Sequence, residues 1–384
     1  MPTTESAVKG IYVPLEIYVH IPFCVKKCDY CDFLSGPADR KQQRAYVQAL
    51  LAEINGLPSS QGYEVVSVFF GGGTPSVIEE WQIREILLKL KKKFYFSPDA
   101  EVTIEANPGT LTRKKLETYR SAGINRLSLG LQSADNGELR ELGRIHTYEE
   151  FLDSYFPARE AGFDNINVDL MFAIPGQNCE RWERTLRTAA ELGSEHISAY
   201  SLIVEEGTPF AARNLDLPDE DTEYRMYEDT AGILEEYGYR QYEISNYAMP
   251  GRECRHNTGY WKRTEYLGIG LGAASLYRNM RFSNTSDMKE YLAAAGEPEK
   301  IRKDIRHLTE KDQMEEFMFL GLRMTEGIRI EDFDSCFSKT LEEVYAEVLT
   351  KYESLGFLEN KDGFWRFTRK GIHVSNSILS DFLF

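Results

Sequence analysis

The chain has 384 residues, 42% of them hydrophobic, six cysteines and a formal net charge of −16. That length supports one large core, or a main domain with a smaller companion. With no run of about 18 apolar residues, no membrane-spanning helix is expected, and the acidic balance disfavours nucleic-acid partners because it repels phosphate backbones over a Debye length.

The N-terminal stretch MPTTESAVKGIYVPLEIYVHIPF has no basic start, and Pro14 and Glu16 break its apolar part, which argues against a secretion signal. The first strand is expected at LEIYVHI (15–21). Directly after it, Cys24, Cys28 and Cys31 fall within eight residues, spaced C-x3-C-x2-C. Three readings compete for this cluster: buried core thiols, a zinc site completed by His20 or another residue, or three corners of a [4Fe–4S] cube with one iron left open. Structural zinc sites pair two knuckles, and no second knuckle is present. An open coordination position is the mark of a reactive metal centre. Phe23, Tyr30 and Phe33 would shield such a cluster, and His20 would support its loop.

A helix over 40–56 leads to a strand VVSVFFG (65–71) and then GGGTP, where Gly71, Gly72 and Gly73 either let backbone approach a ligand or make a tight turn. A helix over 77–94, a strand EVTIEA (101–106), a helix over 112–122 and a strand RLSLGL (126–131) follow. Next come helical 135–160, read as two helices, a strand INVDLMF (166–172), a helix over 178–193 and a strand HISAYSLI (196–203). The strands read as nearly all apolar inside, as parallel strands buried on both faces do. Six consecutive βα units predict a parallel sheet with right-handed crossovers. The unusual loops all follow carboxyl ends of strands, which favours a partial (β/α)6 barrel, TIM-like and open on one side, over a doubly wound sheet.

Past residue 215 the pattern changes. A helix over 220–237 precedes YEISNYA, CRHNTGYW and YLGIGLGAAS, whose glycines match a dinucleotide loop only superficially. Helices over 310–324 and 338–355, a hairpin over 357–367 and a last helix predict a small, mostly helical winged-helix-like domain. The expected division is 1–215 for the barrel with its cluster, 216–304 for an extension, and 305–384 for the C-terminal domain.

The motifs YVHIPFCVKKCDYCDF, FFGGGTPS, EANPGT, SLGLQS, GRIHT, VDLMFAIPGQ, YSLIVEEGTPF and RHNTGYW, in that order, resemble the radical S-adenosylmethionine (SAM) superfamily, specifically its oxygen-independent coproporphyrinogen III oxidase group. The resemblance runs from about residue 15 to FTRKGIHVSNSILSDFL near the C-terminus. It implies that Cys24, Cys28 and Cys31 hold a [4Fe–4S] cluster and that the open iron chelates SAM, which one electron cleaves to a 5′-deoxyadenosyl radical. It further implies SAM contacts from Tyr18, Tyr30, Gly72, Gly73, Thr74, Glu105, Gln132, Arg144 and Asp169. The oxidases carry a fourth cysteine where this chain has Phe33, and a longer extension than the 23 residues before Cys24. Both departures resemble the haem-chaperone branch, as does H-N-x-x-Y-W at His256–Trp261.

That branch implies haem as a ligand, haem-accepting proteins as partners, respiratory ones among them, a reductant for the cluster, a homodimer, and a cytoplasmic chain reaching the membrane only through partners. His256 is the candidate haem ligand, with Cys254 a second; a packed loop with a hydrogen-bonded histidine is the alternative. His146 either faces the SAM cavity or supports its loop; His196, His307 and His373 read as structural or exposed, and Cys179 and Cys336 as small buried residues. Two function classes stand: haem delivery on a radical SAM scaffold, or oxidative decarboxylation of coproporphyrinogen III.

Overall fold

A computed structural model describes residues 12–58 and 61–383. Residues 1–11, the polar start on which the absence of a secretion signal was argued, lie outside the described residues. Strand β1 (Val13–Ile21) is followed by α1 (Arg40–Gly56), β2 (Tyr63–Gly72), α2 (Glu80–Lys93), β3 (Phe96–Ala106), α3 (Arg113–Ala122) and β4 (Arg126–Gln132). Then come α4 (Asn136–Glu141), α5 (Tyr148–Glu160), β5 (Ile166–Phe172), α6 (Cys179–Glu191) and β6 (His196–Ser201). Side chains fix the helix starts. Asp39 and Gln42 form a capping box on α1, and Thr147 and Glu150 one on α5. Gly123, at φ 101°, ends α3 in the left-handed region that glycine enters cheaply.

Strands β1 to β6 pair in sequence order and all in parallel. A doubly wound sheet reverses its order at a switch point; this one never does, so it curls as a partial barrel with its carboxyl strand ends at one mouth. The sheet continues beyond six strands. α7 (Glu220–Glu236) precedes β7 (Arg240–Glu243) and β8 (Asn246–Ala248), and β8 pairs antiparallel with β6. After α8 (Arg255–Trp261), β9 (Glu265–Ile269) pairs in parallel with the opposite edge strand, β1. β10 (Ala274–Tyr277) and β11 (Met280–Asn284) lead through α9 (Met288–Ala294) and α10 (Pro298–Ile301) to β12 (Arg302–His307), completing a sheet of twelve strands. The glycines after β9 turn into this antiparallel extension and bind no βα unit.

The expectation of strands apolar on both faces is corrected. Leu15, Ile17, Val19 and Ile21 of β1 join the core under the helices, as do Leu127, Leu129 and Leu131 of β4. The alternate residues point into the barrel and are polar: Glu16, Tyr18 and His20; Glu101, Thr103 and Glu105; Arg126 and Ser128; Asn167 and Asp169; His196 and Ser198. The period of two is the ordinary one for strands; what differs is that the inner face is filled by hydrogen bonds.

The C-terminal region holds α11 (Glu310–Gly321), β13 (Ile328–Arg329), α12 (Ile330–Cys336), α13 (Leu341–Ser354), the hairpin β14 (Leu358–Lys361) and β15 (Phe364–Phe367), α14 (Arg369–His373) and α15 (Ser375–Ser380). Strand β13 adds to the hairpin, giving a winged-helix arrangement around its own core of Met318, Phe333, Tyr345, Trp365 and Phe382. Among the described residues no helix is long and apolar enough to cross a membrane.

Candidate functional site

The loop after β1 carries Cys24, Cys28 and Cys31, all free and half-buried. Its neck is closed by two backbone bonds, Cys24 N to Gly36 O at 3.0 Å and Gly36 N to Pro22 O at 3.0 Å. His20 supports the loop from below, with Nε2 3.0 Å from Leu34 O, as the sequence led us to expect. Gly143 opposes the loop so closely that a Cβ there would stand 2.7 Å from Asp29.

The thiols face a cavity of about 430 Å³ at the carboxyl ends of the strands. Of the predicted SAM contacts, Tyr30, Gly72, Gly73, Thr74, Glu105, Gln132, Arg144 and Asp169 all line it together with the three cysteines. Two positions show why glycine is needed. Gly72 sits at φ 112°, and a Cβ on Gly73 would lie 2.7 Å from Phe23 O and 3.0 Å from Cys24 Sγ. Arg144, arriving from the loop after α4, donates to Asn107 Oδ1 at 2.8 Å and Gly130 O at 2.7 Å, and its other nitrogen lies 3.6 Å from Cys28 Sγ. Thr74 Oγ1 lies 3.7 Å from Cys24 Sγ. Side-chain donors thus stand beside two of the three sulfurs, while burial raises the Cys31 thiol above its ordinary value.

On the cavity floor, burial and the neighbouring Asp169 push Glu105 up to about 8. Burial also raises Asp169, against hydrogen bonds from Ser128 at 2.9 Å and Asn167 at 2.8 Å. Burial thus favours the neutral form of both carboxyls, and a cationic or hydroxyl donor placed beside them would favour the ionised form.

Three expectations sit elsewhere. Tyr18 does not line the cavity; its hydroxyl bonds His20 Nδ1 at 3.0 Å and its ring flanks Gly71. His146 packs behind Arg144, with Nε2 3.3 Å from Leu131 O, and burial lowers it to about 4, so it supports the loop. His256 lies inside the barrel, away from the cavity. Its Nδ1 is 2.7 Å from Ser67 Oγ, its Nε2 is 3.1 Å from Tyr260 Oη, and its ring stacks on Phe69. With both nitrogens engaged and the residue 1% exposed, this geometry matches the packed-loop alternative. Burial pushes the Cys254 thiol well above its ordinary value beside Glu101. The expectation that Cys336 is buried is corrected: it is exposed, at the end of a short helix whose core contact is Phe333. His307 is exposed, while His196 is buried between Asn167 and Tyr242.

Sequence reasoning missed Asn107, Ser128, Met171 and Tyr200 as cavity residues. Asn107 was legible in EANPGT, and the others in the alternation along their strands.

Among the described residues no three His, Cys, Asp or Glu side chains converge tightly enough for a single ion. A cubane asks for less convergence, since each thiolate takes a different iron. Three free thiols, the glycine cradle and the ring of donors therefore fit a [4Fe–4S] cluster with SAM beside it.

A parallel partial barrel with this cavity defines a radical SAM protein, and the Radical SAM superfamily model matches residues 18–189. The HemN C-terminal domain model matches residues 308–374. The chain is 36% identical over 377 residues to the heme chaperone HemW of Lactococcus lactis, covering 96% of this chain and 97% of that one, and 36% identical over 372 residues to HemW of Bacillus subtilis, covering 95% and 98%. It belongs to the HemW family. The solved structure of coproporphyrinogen III oxidase (HemN) from Escherichia coli superposes with a TM-score of 0.85 at 26% identity, covering 98% of this chain and 91% of that one. Radical SAM membership implies a [4Fe–4S] cluster and SAM as cofactors.

Proposed function

We propose that the chain is a haem chaperone on a radical SAM scaffold, taking up haem and passing it to acceptor proteins, respiratory ones among them. The observation that carries this reading is the end-to-end similarity to curated heme chaperones, 36% over 377 residues. It is supported at the site by Phe33, 64% exposed where the oxidases bear a fourth cysteine.

Cys24, Cys28 and Cys31 would each take one iron and leave the fourth open to SAM. When bound, the cluster supplies single electrons, drawn from a partner reductant. Gly72, Gly73 and Thr74 offer backbone and hydroxyl to the methionyl part, and Arg144 a fixed guanidinium to a carboxylate. Glu105, Gln132 and Asp169 accept from the nucleoside, Tyr30 walls the cavity, and Tyr18 braces its floor through His20. The division at 1–215, 216–304 and 305–384, a homodimer, and a cytoplasmic protein meeting the membrane through its partners complete the reading.

The test is anaerobic. Reconstituted protein is titrated with haem, followed by the Soret band, and separately incubated with coproporphyrinogen III, SAM and a reductant. Haem binding without protoporphyrinogen formation is expected; catalytic conversion to protoporphyrinogen would replace the chaperone reading with an oxidase.

A further inference from the structure

A second concave site lies away from the cluster, between β7, the segment after α11, and the C-terminal hairpin. This cleft of about 290 Å³ is lined by Arg323, Arg366 and Arg369 with Gln241, Thr325 and Phe367. Its charge runs against the rest of the chain: three guanidiniums and one lining carboxylate, Glu359, in a protein of net charge −16. Glu359 pairs with Arg366 at 2.6 Å. Arg369 makes no ion pair among the described residues. Arg323 lies 4.4 Å over the Trp261 ring, and its buried Nε has no hydrogen-bond partner. A buried guanidinium N–H without an acceptor is costly, and the stack on Trp261 offsets part of that cost.

Trp261 closes the motif that begins at His256. His256 itself is sealed in the barrel, and Trp261 packs against Tyr242, Ala248 and Met324 beneath Arg323, so this motif meets the cleft only through that stack. The walls pair an apolar side, Leu322, Phe367 and Ile372, with the guanidiniums. That combination suits the edge of a flat apolar molecule bearing carboxylates, because planar guanidinium matches carboxylate geometry bidentately.

We propose that this cleft is a carboxylate-binding site. Resting on the haem-chaperone reading, its carboxylates are the propionates of haem, held with the macrocycle edge against Phe367 and Ile372. A free dicarboxylate is the other source of the same chemistry, and the experiment separates the two.

Full-length, anaerobically reconstituted protein is titrated with haem, with haem dimethyl ester, whose propionates are masked, and with succinate followed by thermal shift. The variants are Arg369→Glu and the double R366Q/R369Q. Iron, sulfide and SAM binding are measured alongside and should stay at wild-type levels. Haem affinity is expected to fall at least about tenfold in each variant, the scale of losing one charge-assisted hydrogen bond, and the ester is expected to bind wild type as weakly as haem binds the variants. Succinate stabilisation that the variants lose, with haem and ester binding alike, supports the cleft and assigns the free dicarboxylate. Equal binding of all ligands by wild type and both variants overturns the cleft. If wild type binds no haem yet loses succinate binding on substitution, the chaperone reading falls and the cleft stands.

Discussion

The barrel interior holds two polar layers built from the same residue types, and their fates differ. At the carboxyl ends, Glu105, Asp169, Arg144 and three cysteines line an open cavity. Further down the strands, Glu16, Glu101 and Arg126 are closed off by α8, which brings Cys254 at its N-cap and His256 in its first turn against them. Above, donors are arranged for something that must arrive. Below, they turn toward one another: Glu101 accepts from the backbone of Arg255 and His256, and His256 bridges Ser67 and Tyr260, while Glu16 Oε2 and Arg126 Nε stay buried without a hydrogen-bond partner. Carboxylates, thiols and imidazoles therefore do not mark a site by type; access from solvent does.

The sharpest break between the layers is at the cysteines. Cys24→Ala, Cys28→Ala or Cys31→Ala should abolish iron and sulfide retention and the brown colour, while circular dichroism stays native. If one of these variants holds a full cluster, the upper layer is not its seat. The lower layer should respond in stability. His256→Ala removes a buried ring and two hydrogen bonds, so denaturant unfolding should lose about 2–4 kcal/mol, with the Soret spectrum of bound haem unchanged. A changed spectrum would make His256 a ligand and erase the contrast.

Gly73→Ala tests the cradle. Its Cβ would press on Phe23 O and Cys24 Sγ, costing about 1–3 kcal/mol of overpacking, seen as reduced cluster loading more than as a lower Tm. Titration sharpens the comparison further. Burial raises Glu16 to about 9, so the folded chain holds a proton there that the unfolded chain releases near the ordinary value of 4.5. Between those values the native state binds more protons, and stability falls as pH rises. Glu16→Gln should remove part of that alkaline loss and raise Tm at pH 8–9 relative to wild type. His256 works in the other window: lowered to about 3, it costs stability as pH falls below 6.5. Smallest of all, Cys336→Ser should change stability by less than about 0.5 kcal/mol, as at any exposed site, and leave iron content untouched.

Much of this was legible in the chain. The unusual loops after each strand named the mouth of the barrel, because βα units with short connections leave only one end for irregular backbone. Glu105, Gln132 and Asp169 came from the resemblance, and their positions on β3, β4 and β5 at the cavity agree with it. The long-range pairing was not legible. β9 returns to β1 across more than two hundred residues, and nothing local in EYLGI marks its neighbour. His256 was misleading for a related reason: HNTGYW reads as a ligand-bearing loop, but Ser67 and Phe69, which capture its ring, come from a distant strand. Tyr18, implied as a SAM contact by the resemblance alone, turns its hydroxyl to His20 and does not line the cavity. Cys336 was taken for a buried residue on its type alone, whereas the short helix beneath it spends its apolar contact on Phe333.

The pinched neck at Phe23 and Gly36 has one more consequence. The sulfur-bearing lobe hangs from the barrel like a purse drawn in at that neck and stitched again at Asp29, whose N–H donates to Leu142 O at 3.3 Å and whose carbonyl accepts from Phe210 N at 3.0 Å, and none of its three sulfurs belongs to the central core. Oxidative damage that strips the inorganic cargo would thus empty the purse without unpicking the garment, leaving a vessel that assembly machinery can refill instead of a wreck that proteases must clear.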